Sequence, residues 1–186
     1  MQTKPMQVLI AYHSDYGNTE RMAKAIAAGI RATNPDVSIQ LQKADETSPD
    51  DLVAADTILF GTPVHMGSMA WQMKKLIDDC AKLWMENALE GKVGGAFATG
   101  GGFGSAGGGV ELTLASLHSN FLEHGMVVVG FPKTALGYAD GGLQWGPYAR
   151  TGNHEGMPAG ITDAQLAAAR SYGAHVIEVA ERLSAD

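Results

Sequence analysis

The sequence predicts one α/β domain over residues 1–186, with a five-stranded parallel sheet in the strand order 2-1-3-4-5 and helices on both faces. Short apolar runs alternate five times with helical patterns, which is typical of parallel strands joined by helical crossovers. Polar or glycine-rich loops follow the first, third and fourth predicted strands. Because parallel strands end at one edge of a sheet, these loops are expected to form a ligand site there.

The first half of the chain shows three strand patterns and two helix patterns. Gln7–Tyr12 is a continuous apolar run, as in a central parallel strand covered on both faces. An amphipathic helix follows to about Thr33, and Asn18 or Thr19 is expected to cap its start. Two further strands and a long amphipathic helix are then predicted at Val37–Leu41, at Asp56–Gly61 and from Met69 to just before Asn87.

The second half adds two strands with a helix between them, at Lys92–Thr99, Glu111–Glu123 and Met126–Phe131. Lys133–Gly160 shows little periodicity and is predicted to be a long connection, a kind of segment that is often functional. Thr162 and Gln165 have the spacing of a capping box and predict the start of the last helix.

Charge and cysteine content narrow the class of protein. The chain has 13 Lys and Arg against 20 Asp and Glu, a net charge of −7. Nucleic acids are bound by clustered basic side chains, so no nucleic-acid partner is expected. Cys80 is the single cysteine, which excludes a disulfide framework and a paired-cysteine site. No apolar run approaches membrane-spanning length, and the first six residues are too short and polar for a signal peptide. A soluble, cytoplasmic protein is expected.

The loop Ser14–Thr19, between the first strand and its helix, has the composition of a phosphate-binding turn. A tight turn into a helix offers backbone N–H groups and the positive end of the helix dipole. Ser14, Asn18 and Thr19 add side-chain donors, and Gly17 permits an unusual backbone conformation. The turn has no basic residue and the chain has no GxxxxGK[ST] motif, so a nucleoside triphosphate is disfavoured. The alternative is a capped helix with a polar turn.

The other two loops suggest a flat, apolar ligand beyond that phosphate. Gly61–Ser68 places Val64 and Met66 where they could lie on an aromatic ring, whereas His65 is interpreted as a solvated loop histidine rather than a catalyst. In Thr99–Ser105, a GxGxxG match is rejected as a dinucleotide motif because it follows the fourth strand and not the first. Phe103 either stacks on the ring or anchors its loop. No metal site and no catalytic side chain is predicted, since the histidines show no metal spacing.

These loops resemble the flavodoxin-like superfamily and, within it, the WrbA-type NAD(P)H:quinone oxidoreductases. The similarity covers nearly the whole chain, and its strength comes from the order and spacing of several segments. They are SDYGNTERMAKAIAAG at Ser14–Gly29, GTPVHMGSMAWQMKKLID at Gly61–Asp78 with Trp84 beyond, GKVGGAFATG at Gly91–Gly100, LEHGMVVVG at Leu122–Gly130 and GPYA at Gly146–Ala149.

The resemblance implies a flavodoxin-like three-layer sandwich that binds FMN. The family's phosphate turn corresponds to Ser14, Asp15, Tyr16, Gly17, Asn18 and Thr19. Its ring-edge loop corresponds to Pro63, Val64, His65, Met66 and Gly67, and its glycine-rich loop to Thr99, Gly100, Gly101, Gly102, Phe103 and Gly104. Tyr16 and Trp84 match the aromatic positions that receive the substrate. Where members of the family often have Arg-Phe-Gly-Asn, this chain has His65-Met66-Gly67-Ser68.

The activity implied is a two-electron, ping-pong transfer in which NADH or NADPH reduces bound FMN by hydride transfer and a quinone then takes the electrons. A homodimer or homotetramer is implied as well, although the insertion that accompanies the family's tetramers is missing. Two alternatives stay open. The acidic charge would suit a flavodoxin that carries single electrons between proteins, and an older description of the family suggests a regulatory binding module.

Overall fold

The computed structural model of the chain describes residues 5–102 and 108–184. The strands are β1 Gln7–Tyr12, β2 Ser38–Lys43, β3 Thr57–His65, β4 Ser68–Met69, β5 Val93–Gly100, β6 Val127–Val128, β7 Gly142–Leu143 and β8 Gly146–Arg150. The helices are α1 Asn18–Thr33, α2 Pro49–Ala54, α3 Trp71–Asp79, α4 Ala81–Met85, α5 Val110–Glu123, α6 Tyr138–Gly141 and α7 Asp163–Ser184.

The sheet has the predicted doubly wound core. Its strands follow the order β2-β1-β3-β5-β8-β7, and β1, β2, β3 and β5 pair in parallel. Strand β4 folds back on β3 as an antiparallel hairpin, and β6 pairs in parallel with the start of β5. The three-layer α/β arrangement is therefore confirmed, and the described sheet contains more strands than the five predicted.

The fifth position of the sheet differs from the prediction. The predicted strand Met126–Phe131 is reduced to the two residues of β6, because the chain leaves β5 after Val129, whose N–H donates to the Gly94 carbonyl, and Phe131 donates instead to the carbonyl of Gln144. The second half of β5 pairs instead with β8, from Ala98 with Tyr148 to Gly100 with Arg150. The segment predicted as one long connection, Lys133–Gly160, thus supplies α6, β7 and β8.

Two helix boundaries also differ from the predicted ones. Gly17 is the N-cap of α1, so neither Asn18 nor Thr19 caps it. The single long helix predicted after Met69 is divided into α3 and α4 by a tight turn at Cys80, whose N–H bonds to the carbonyl of Ile77. The capping box at the start of α7 is confirmed: the backbone N–H of Gln165 donates to Thr162 Oγ1 at 3.2 Å, and that of Thr162 to Gln165 Oε1 at 3.1 Å.

Two apolar layers lie on opposite faces of the sheet. Alternate side chains of a strand face opposite sides, so Ile10 packs toward α1 and α7 while Leu9 packs toward α3 and α5. Both side chains are buried. Within the described ranges, no helix has the length and apolarity needed to cross a membrane.

Candidate functional site

A cleft of about 240 Å³ opens at the carboxyl ends of β1, β3 and β5. Residues from all three predicted loops line it: Ser14, Asp15, Tyr16, Asn18, Thr19, Pro63, Val64, His65, Thr99, Gly100 and Gly101. Three further lining residues, Thr151, Met157 and Pro158, come from the segment after β8 and were not predicted from the sequence. The parallel topology thus brings loops that are distant in sequence to one site.

The turn before α1 has the properties of an anion site. Gly17 has a φ of 78°, in the left-handed region that favours glycine, and no side chain caps the helix that follows. The N–H groups of the first helical turn are therefore available to a ligand. The hydroxyl oxygen of Ser14 is buried and has no hydrogen-bond partner within the described part of the chain. A buried hydroxyl without a partner is costly, and a phosphate in this turn would supply one.

A buried hydrogen bond joins this turn to β5. Thr19 Oγ1 and Thr99 Oγ1 lie 2.8 Å apart, and both residues are almost completely buried. The first turn of α1 is thereby held against the end of β5, so the two walls of the cleft have a fixed separation.

The second predicted loop is a β-hairpin, not a plain strand-to-helix connection. Met66 and Gly67 form its two-residue turn, with φ values of 48° and 82°, as a type I′ turn requires. The buried hydroxyl of Thr62 fixes the base of the hairpin by accepting a hydrogen bond from the backbone N–H of Ala70 at 2.9 Å. Pro63, Val64 and His65 face the cleft, whereas Met66 is fully exposed at the tip and neither turn residue lines the cleft.

Close backbone packing shapes the glycine-rich wall. The carbonyl oxygen of Gly100 accepts hydrogen bonds from the Tyr148 hydroxyl and the Thr151 N–H, both at 2.9 Å. A Cβ atom on Gly152 would lie 2.8 Å from the Gly102 carbonyl oxygen and equally close to Met157 Cγ. Glycine at this position therefore lets the segment after β8 reach the cleft. Gly102 does not line the cleft, and the predicted ring contacts Phe103 and Gly104 lie outside the described residues.

The two predicted substrate contacts occupy different places. Tyr16 lines the cleft and is 75% exposed, so its ring is accessible to an incoming molecule. Trp84 lies on α4, is about half exposed and does not line the cleft.

The mouth of the cleft holds a charged cluster that sequence reasoning did not identify. Asp15 lies between two histidines: its Oδ1 is 3.1 Å from His13 Nε2, and its Oδ2 is 3.0 Å from His65 Nε2. The two imidazole rings meet edge to face with centroids 6.3 Å apart. The cluster joins the loop after β1 to the hairpin. Asp15 and His65 come from separate loops, so no residue spacing in the sequence predicts their contact.

Three further titratable groups, His118, His124 and Tyr148, do not line the cleft. Burial lowers the pKa of His118 and of His124, which favours their neutral forms. Burial raises the pKa of Tyr148, so the hydroxyl that bonds Gly100 stays protonated at neutral pH. Residues 5–102 and 108–184 contain no group of three or more His, Cys, Asp or Glu arranged to hold a metal ion.

Comparison with known proteins decides the family. The model of the NADPH-dependent FMN reductase family matches residues 6–141. The chain belongs to this family. A curated NAD(P)H dehydrogenase (quinone) from Syntrophobacter fumaroxidans is 34% identical over 96% of this chain and 99% of its own length.

Solved structures agree with that family assignment. A flavodoxin, WrbA-like protein from Agrobacterium tumefaciens is 30% identical with a TM-score of 0.70, covering 95% of this chain and 98% of its own. A flavodoxin from the domain Archaea is 26% identical with a TM-score of 0.66, covering 95% and 99%. The resemblance to WrbA-type proteins is confirmed, and this FMN reductase family member is a flavodoxin-like oxidoreductase that uses FMN and NAD(P)H.

Proposed function

We propose that this protein is an FMN-dependent NAD(P)H:quinone oxidoreductase that works with FMN held in the cleft at the ends of β1, β3 and β5. The observation that supports the proposal is that one cleft contains both a site for an anion and walls suited to a flat ring. The uncapped start of α1 and the unpartnered Ser14 hydroxyl lie at one end of the cleft, and the hairpin and glycine-rich backbone form its sides. The quinone reductase from Syntrophobacter fumaroxidans supports the same activity.

The residues of the cleft divide into two groups by chemistry. Ser14, Asn18 and Thr19, with the N–H groups of the first turn of α1, would hold the phosphate of FMN. Pro63, Val64 and His65 on one side and Thr99, Gly100 and Gly101 on the other would hold its ring. When bound, the flavin accepts two electrons from NAD(P)H and gives them to a quinone.

The exposed side of the cleft suits substrates that enter and leave in turn. Tyr16 presents an accessible ring there, and we assign it to stacking against nicotinamide or quinone. Trp84 is retained as a second substrate contact on the strength of the resemblance alone. The roles of Asp15, Gly17, Met66, Gly67, Gly102, Phe103 and Gly104 in holding FMN are proposed on the same basis.

A flavodoxin-type carrier of single electrons is the second candidate. The net charge of −7 favours it, since acidic carriers dock on basic partners. Against it, the loop Gly61–Ser68 contains no Trp or Tyr to cover a ring in the cleft. The open side therefore favours an enzyme.

Purified protein loaded with FMN distinguishes these candidates. We expect a flavin absorbance spectrum, oxidation of NADH or NADPH with 1,4-benzoquinone as acceptor, and one quinone reduced per nicotinamide oxidised. An anaerobic titration that pauses at one electron per flavin, without quinone turnover, would support the carrier. Failure to retain FMN after reconstitution would refute both candidates.

We also propose a homodimer or homotetramer and a cytoplasmic location. Exposed apolar side chains on the hairpin tip and on α3 and α4 offer surface for self-association: Met66, Trp71, Trp84 and Met85. Sedimentation velocity at several protein concentrations tests the assembly, and a single species with the mass of one chain would contradict it.

A further inference from the structure

The cluster His13–Asp15–His65 at the mouth of the cleft is held around one carboxylate. Asp15 Oδ1 is hydrogen-bonded to Nε2 of His13 at 3.1 Å, and its Oδ2 lies 3.0 Å from Nε2 of His65 in an ion-pair contact. The His13 side chain is 14% exposed and that of His65 41% exposed. The inner histidine is thus a support for the carboxylate, and the outer one is accessible to solvent and to substrate.

The second ring nitrogen of His65, Nδ1, has no partner among residues 5–102 and 108–184. The contact of His65 with Asp15 in this part of the chain uses Nε2. His65 itself lines the cleft, and Asp15 lines it alongside. Because the carboxylate lies on the Nε2 side of the ring, Nδ1 is left to exchange a proton with water or with a bound molecule.

Reduction of a quinone needs a proton from the surroundings. The balanced reaction is NAD(P)H plus quinone plus H⁺, giving NAD(P)⁺ and hydroquinone. With FMN bound, the nicotinamide would supply two electrons and one proton, which together would convert the quinone to a hydroquinone monoanion. The remaining oxyanion takes up the additional proton, and a general acid beside the cleft would supply it faster than water.

We propose that His65 is this general acid and that Asp15 is its positioning residue, with His13 holding Asp15. This inference rests on the proposed quinone reductase function. The imidazolium of His65 gives its Nδ1 proton to the oxyanion, an O–H bond forms as the N–H bond breaks, and the ring is left neutral with its remaining proton on Nε2, the nitrogen beside Asp15. Solvent then returns a proton to Nδ1, since the side chain is exposed at the mouth.

Two electron acceptors separate proton donation from electron transfer. Quinone reduction consumes protons, whereas ferricyanide takes electrons without them. In FMN-loaded His65→Gln protein we expect the rate with 1,4-benzoquinone to fall about 100-fold, in the range typical of a lost general acid. The rate with ferricyanide per bound flavin should fall far less, because no proton reaches that acceptor, so the ratio of the two rates is the readout. His154→Gln, at an exposed position that does not line the cleft, is the matched control and should leave both rates unchanged.

The outcomes distinguish this inference from the function on which it rests. If the unmodified protein oxidises NAD(P)H with neither acceptor, the proposed function fails. If it uses both acceptors and His65→Gln leaves the benzoquinone rate intact, the proton-donor role alone is refuted. Equal losses with both acceptors would also refute it, because His65 would then support the cofactor and not the proton transfer.

A measurement without turnover tests the positioning role. In the ¹⁵N-labelled protein, the Nε2 proton of His65 should give a ring N–H resonance slowed in exchange by the nearby Asp15 carboxylate. Asp15→Ala should remove this resonance, and His13→Gln should weaken it while leaving the fold intact by circular dichroism. Absence of a protected His65 ring proton in the unmodified protein would overturn the assignment of Asp15.

Discussion

At the residue scale, two buried hydroxyl environments in the cleft contrast with each other. Thr19 and Thr99 satisfy one another across 2.8 Å, which stabilises the protein whether or not a ligand is bound. Ser14 has no such partner within the described chain, so its buried oxygen carries a desolvation cost until a ligand contributes a donor or acceptor. The Thr19–Thr99 hydrogen bond is thus present without a ligand, whereas the Ser14 oxygen gains a partner only when a ligand binds.

Replacing Ser14 by Ala separates the two effects. We expect the dissociation constant for FMN to rise about tenfold or more, since a hydrogen bond to a charged phosphate is worth roughly 1.5–3 kcal/mol. The free energy of unfolding of the apoprotein should stay constant or rise, because the removed oxygen has no partner in residues 5–102 and 108–184. Flavin fluorescence titration and urea unfolding measure the two quantities. Ser38→Ala, at an exposed position at the opposite edge of the sheet, should change neither; a large loss of apoprotein stability in Ser14→Ala would contradict this account.

Cys80 links burial to the pH dependence of stability. Its Sγ donates to the Leu76 carbonyl, and burial raises the pKa of the thiol to about 11. The folded pKa thus exceeds that of the unfolded chain, about 8.5. The contribution of the protonated Cys80 thiol to the free energy of unfolding is complete below the pKa of the unfolded chain and is lost as the pH rises toward 11.

We therefore expect urea unfolding to show a steeper loss of stability between about pH 8.5 and 11 in the unmodified protein than in Cys80→Ala. The comparison between the two proteins removes contributions from lysines and tyrosines that titrate in the same range. Reaction of Cys80 with a disulfide reagent at pH 8 should also be slow. Parallel stability curves, or fast labelling of the native protein, would show that the thiol is not protected.

At the element scale, periodicity predicted most of the fold and local backbone geometry accounts for the exceptions. Continuous apolar runs predicted β1 and β3 because both faces of those strands are covered by helices. The same signal predicted one fifth strand, but its pairing with β5 ends after Val129, and β8, which begins at Gly146, pairs with the rest of β5. The periodicity of the sequence does not indicate which later strand pairs with β5. The hairpin at Met66 was missed because neither Met66 nor its neighbours form the usual Asn-Gly turn.

The hairpin turn offers a test in which two adjacent substitutions have opposite signs. Met66→Asn should raise the free energy of unfolding by about 0.5–1 kcal/mol, because Asn tolerates positive φ and methionine does not. Gly67→Ala should lower it by roughly 1 kcal/mol through the same backbone argument, since no atom lies near its Cβ position. Urea unfolding of the apoprotein measures both. Effects of the same sign would show that the turn is not type I′ in solution.

At the scale of the whole molecule, the strand topology brings the loops of the cleft together. A second feature at this scale is the packing of the first long helix, α1, against the last, α7. The sequence predicted which loops meet at the sheet edge, because parallel strands share a carboxyl end. It did not predict the approach of Met157 or the Asp15–His65 pair, since both depend on how separate loops pack. The contact between α1 and α7 is equally non-local: Asn34, just after α1, donates to Glu181 near the end of α7 at 2.6 Å.

Two glycines make that packing possible. A Cβ atom on Gly173 would overlap the carbonyl oxygen of Ile26, and one on Gly29 would overlap that of Arg170. The backbones of α1 and α7 are therefore in direct contact, with no side chain between them. In an ordinary helix, Ala in place of Gly stabilises by about 1 kcal/mol. Here the added methyl group must push two buried helices apart.

Gly173→Ala should consequently destabilise the protein by roughly 2–3 kcal/mol, as overpacking of a dense core does. Ala167→Gly, on the same helix but away from this contact, should show the ordinary propensity cost of about 1 kcal/mol. Urea unfolding of both apoproteins makes the comparison, and the Gly29→Ala variant should repeat the result from the opposite helix. If Gly173→Ala proved more stable than the starting protein, the two helices could separate without a cost in free energy. The close backbone contact between α1 and α7 would then not contribute to the stability of the fold.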